Sequence, residues 1–110
     1  MTMTDLKTLV ACLALSQKQI ARCRANAVAW GRTEAGRQWA NLCRRWIETG
    51  AYLLAEIEAT GHSPESVTVS ESLLDGARAF LRKRGRELVE RHLIRTELSD
   101  RRERVLARAN

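Results

Sequence analysis

Between Arg78 and Arg95 the chain carries seven basic groups and two carboxylates, on a segment in which Phe80, Leu81, Leu88 and His92 return at helical spacing. At 100° per residue, Arg78, Arg82 and Arg86 fall in one row opposite that apolar stripe, each one turn from the next. Such a row can follow a phosphate backbone, because fixed guanidinium groups pair with phosphate oxygens whatever the base sequence. It is also what a solvated face looks like in a chain that holds 16 Arg and 3 Lys. Lys83 flanks the row. Arg44 and Arg45, and further back Lys18 and Arg22, are the next most exposed basic groups expected, so these eight residues are the candidate contacts.

Other chemistry is poorly provided for. His62 and His92 are the residues able to exchange protons near neutrality, and neither sits in a spacing that builds a triad or a metal site. Val89 stands where a di-iron bundle would have the Glu of its Glu-x-x-His pair. Cys12, Cys23 and Cys43 are an odd number with no Cys-x-x-Cys pair, so they read as small core residues. Glycine-rich phosphate loops are absent. The expectation is a protein that is not an enzyme and has no catalytic residue, metal or cofactor.

The elements that must carry these groups are helical. With 110 residues, 45% of them hydrophobic, one Pro and six Gly, the chain fits one domain spanning 1–110. Thr2 or Thr4 can cap a first helix, whose Leu6, Leu9, Leu13, Ser16, Ile20, Cys23, Ala27 and Trp30 form a heptad seam. Gly31 ends it, since continuing the seam would bring in Glu34 and Arg37. Thr33 caps a second helix with Trp39, Leu42, Cys43, Trp46, Ile47, Leu53, Leu54 and Ile57 on a wide stripe, the most buried helix expected. Gly50 inside that stripe costs about 1 kcal/mol relative to Ala and so marks a close helix crossing. Tyr52 is expected to be partly exposed. The three tryptophans could stack bases, but their positions on seam and stripe favour core packing.

Gly61 opens a loop to Ser70, in which Ser63-Pro64 can begin a single turn and Val67 to Val69 run extended. Ser70 caps a third helix, with Val69 and Leu74 placed as a hydrophobic staple. This helix buries Leu73, Leu74, Ala77, Phe80, Leu81 and Leu88. Arg84 and Arg91 fall at the edge of its stripe, so either they snorkel or the helix outruns its neighbours. Leu98, Val105, Leu106 and Ala109, with Arg101, Arg102, Arg104 and Arg108, form a short amphipathic segment that either stands alone or continues helix three. The fold class is all-α, a bundle of three long helices and a short C-terminal one.

A formal charge of +6 favours polyanions or acidic protein surfaces as partners. Charge is also segregated: residues 17–46 hold seven bases and one acid, 47–75 six acids and no base, and 78–108 eleven bases and five acids. An up-and-down bundle would then have a basic and an acidic end, able to stack copies head to tail. No apolar run approaches a membrane span and no secretion signal opens the chain. A cytoplasmic protein that does not meet a membrane is expected.

A short, Arg-rich, all-helical chain with polarised ends and no catalytic groups resembles the small subunit of multisubunit CRISPR effector complexes. The resemblance covers architecture and charge, not a motif, so no residue is carried over by position. It implies a ribonucleoprotein subunit present in several copies beside other protein subunits, touching a nucleic-acid backbone independently of sequence. Two other functions fit the same features: a phage- or plasmid-type helical adaptor or inhibitor whose basic face meets an acidic protein, and a DNA-binding regulator. The last fits less well, because the turn at Gly31 joins two long helices where a helix-turn-helix needs a short recognition helix.

Overall fold

A computed structural model describes the backbone of residues 3–92 and 98–109, with side chains for 5–87, 90 and 98–109. The expected cap at Thr2 or Thr4, the side chains of Leu88, Arg91, His92 and Arg95, and residues 96–97 lie outside what is described. Among the described residues there are four α-helices and no strand: α1 Met3–Trp30, α2 Glu34–Ala59, α3 Glu71–His92 and α4 Ser99–Ala107. None is long and apolar enough to cross a membrane.

The boundaries follow from capping chemistry. Gly31 takes φ 58°, a left-handed conformation that glycine adopts without a Cβ penalty, and its N–H donates to the carbonyl of Ala27 at 3.0 Å. Thr33 then accepts from the Gly36 N–H at 3.1 Å. Pro64–Ser66 form one 3₁₀ turn capped by Ser63, and Ser70 accepts from the Leu73 N–H at 3.3 Å to start α3. The short C-terminal segment is a helix distinct from α3.

The α1–α2 hairpin is covered along only half its length. Positions 9–13 on α1 and 50–55 on α2 are buried on every side, whereas between 21 and 30 only Cys23 is buried, and between 34 and 49 only Gly36 and Cys43. Leu6, Leu13, Ile20, Leu53, Leu54, Ile57 and Val105 make the centre of the core. α3 packs chiefly on α1, touching α2 only lightly, while α4 packs on α2. A Cβ on Gly50 would lie 2.7 Å from Val105 Cγ1 and 3.6 Å from Ser16 Cβ, so the expected close crossing is where α4 and α1 both meet α2. Ser16, buried on the seam, donates to the carbonyl of Cys12 at 3.0 Å, which satisfies its hydroxyl within the helix. All three cysteines are free and buried. Burial pushes the Cys12 thiol up to about 12, leaving it protonated and inert.

Three expectations about large side chains are corrected. Trp30, placed on the seam, is 55% exposed and Leu42, placed on the stripe, is 37% exposed, because both lie on the half of the hairpin that α3 and α4 do not reach. Trp39 and Trp46 are only half-buried at the margin of the core, so the core is centred on leucine and isoleucine instead of tryptophan. Tyr52, expected near solvent, is buried, because its hydroxyl hydrogen-bonds to Glu48, which holds Arg102 of α4.

Candidate nucleic-acid interface

Burial along α3 fades beyond Ala77: Phe80 and Leu81 are half-buried, while Arg78, Arg82, Lys83, Arg84 and Arg86 are exposed. Leu73, Leu74 and Ala77 anchor its first turns, and the Cys12 thiol lies 3.7 Å from the carbonyl of Ala77. Between α3 and α2, which touch only lightly, lies an open cleft of about 690 Å³ lined by Arg45, Trp46, Thr49, Leu81, Gly85 and Arg86. A second cleft of about 410 Å³ adjoins it, lined by Leu15, Gln19, Trp46, Arg78, Leu81 and Arg82. Trp46 and Leu81 belong to both. The two form one trough with an apolar floor and four arginines on its rim.

Four of the eight candidate residues therefore converge: Arg45 from α2 and Arg78, Arg82 and Arg86 from α3. Among the described residues Arg45, Arg82, Lys83 and Arg86 make no ion pair, and Arg78 pairs with Asp75 at 3.2 Å with both side chains more than half exposed. An exposed pair of this kind is worth at most about 1 kcal/mol, so a phosphate can replace the carboxylate. Lys83 is exposed next to the row without lining the trough. Arg44 hydrogen-bonds to Asn41. Lys18 lies 3.8 Å from Glu71. Arg22 sits 5.6 Å over the ring of Trp39, a cation–π contact beyond the trough.

Other cations that contribute to the basic balance are engaged inside the fold. Glu58 takes Arg101 at 3.2 Å and Arg104 at 2.6 Å, Glu48 takes Arg102, and Glu65 takes Arg108. Hydrogen bonds from Arg104 hold the Glu58 carboxyl below its ordinary range despite its partial burial. Together with Lys18–Glu71 and Arg78–Asp75, these contacts engage five of the six acids between 47 and 75. Of these acids, Glu48, Glu58 and Glu65 are held by arginines of the C-terminal segment, while Glu71 and Asp75 make only exposed pairs.

Leu15, Gln19, Thr49 and Gly85 are the trough residues that the sequence does not single out. A signal was present for two of them. Trp39, Leu42, Trp46 and Thr49 follow one another at steps of three and four, a stripe next to Arg45, and Gly85 sits inside a helix with nothing within 4 Å of the place a Cβ would occupy, so packing does not require it. Comparison with protein-family models, with curated proteins and with solved structures returned no match.

Proposed function

We propose that the protein is a non-catalytic helical subunit that binds a nucleic-acid backbone, with Arg45, Arg78, Arg82 and Arg86 as its phosphate contacts. What supports this reading is the convergence of four arginines from two helices on one open trough, all but Arg78 without an acidic partner among the described residues. Guanidinium groups in such a setting retain their full capacity for phosphate, and each phosphate they neutralise releases condensed counterions. The finer architecture, a bundle of three long helices with a short fourth, is part of this proposal. The setting implied by the resemblance, a CRISPR-type ribonucleoprotein in the cytoplasm with other protein subunits, belongs to the same proposal. Copies would stack head to tail along one strand, an acidic end against a basic one, in keeping with the segregation of charge along the chain.

Protein purified from cells at moderate salt is expected to carry nucleic acid, seen as an ultraviolet absorbance ratio above that of the protein alone and abolished by nuclease. Preparations free of nucleic acid, with an acidic protein recovered in its place, would speak for an adaptor instead.

A further inference from the structure

The floor of the trough makes a demand that its rim does not. Phosphates need the arginines alone, yet an indole lines both clefts with them: Trp46 is partly buried and shares the lining with Leu81 and, in the first cleft, Gly85. An amphipathic ring left part-exposed among arginines is the arrangement that takes up unpaired bases, because every base has a π-face. A duplex cannot use it, since its bases already stack on each other. We propose that the trough takes single-stranded nucleic acid, with an unpaired base stacked on Trp46 while the rim arginines hold the flanking phosphates. This rests on the backbone-binding reading and names its ligand class. The sequence ranked core packing above stacking for this tryptophan; it packs at the margin of the core and stays partly exposed, which leaves ring surface available to a base.

Gly85 gives the idea an independent handle. A side chain there meets open space, so Gly85→Leu adds bulk beside the trough without adding an aromatic ring or changing any charge.

The test measures fluorescence anisotropy of short oligothymidylate and oligouridylate, an abasic strand of equal length and charge, and a duplex, each over a range of salt. Stacking on one aromatic is worth about 1–3 kcal/mol per base, roughly 5- to 160-fold in affinity. Wild-type protein is expected to bind at least one base-bearing strand about tenfold more tightly than the abasic strand and the duplex. Trp46→Leu and Gly85→Leu should close that gap at an unchanged salt slope, and Trp46→Phe should keep part of it. The comparison of strands uses wild-type protein and stands even where a variant fails to fold. Equal, salt-dependent binding of base-bearing and abasic strands overturns the stacking proposal and leaves backbone binding intact. Absence of binding to all of them overturns both.

Discussion

A methyl group added at Gly50 would push into the Cγ1 of Val105, 2.7 Å away, at the point where three helices meet. Val105 is fully buried and cannot swing into solvent, so Gly50→Ala should lose more by overpacking, about 1–3 kcal/mol, than it gains from helix propensity, about 1 kcal/mol. Val105→Ala in the same chain should relieve the clash. Urea unfolding of the two single variants and the double one measures this coupling, and strictly additive effects would mean that α4 does not press on Gly50. The close crossing was legible in the sequence, because glycine in a buried stripe has few other causes. The burial of Tyr52 was not, because it depends on Glu48 and on Arg102, fifty residues further along. Leu42 and Trp30 misled for the opposite reason: spacing identifies the face a residue shares, not whether another helix covers it.

Element boundaries were read closely, since Gly31, Thr33, Ser63 and Ser70 act on their own neighbourhoods. The role of α4 was hidden, because its arginines look like any other basic run until their partners on α2 and in the 61–70 loop come within reach. They act as a clamp, and Glu58 is its centre. Arg104, then Arg101, favour the ionised form of Glu58 and hold its folded pKa below the ordinary 4.5. A depressed pKa means that this stabilisation is complete above about pH 4.5 and is lost as pH falls through the folded value. Glu58→Gln should therefore cost on the order of 1 kcal/mol at neutral pH, a modest figure because all three side chains remain partly exposed, and flatten the loss of stability in acid. Thermal melts of both proteins across pH 3 to 7 decide it. Melting curves that superimpose over the whole range would mean that the clamp contributes nothing.

Taken as a whole, the molecule covers one half of the α1–α2 hairpin and leaves the other half bare, and the basic trough lies where the cover ends. The arginine row was legible from helical spacing alone, because it needs only one helix. Its convergence with Arg45 and Trp46 was not, since that depends on how α3 packs beside α2. The basic groups divide accordingly into those matched by internal acids, those on the rim, and others such as Arg22, Arg44 and Lys83 that lie outside the trough. The rim is expected to carry most of the binding. The direct test is the slope of log affinity against log salt for wild-type protein and for the triple variant Arg78→Gln, Arg82→Gln, Arg86→Gln. Removing one arginine–phosphate pair should lower the slope by about 0.7 to 0.9, so the variant is expected to fold as the wild type does, bind every sequence more weakly and fall short by about two units or more. Identical slopes in the two proteins, or wild-type protein without salt-dependent affinity for any nucleic acid, would contradict the assignment of the trough.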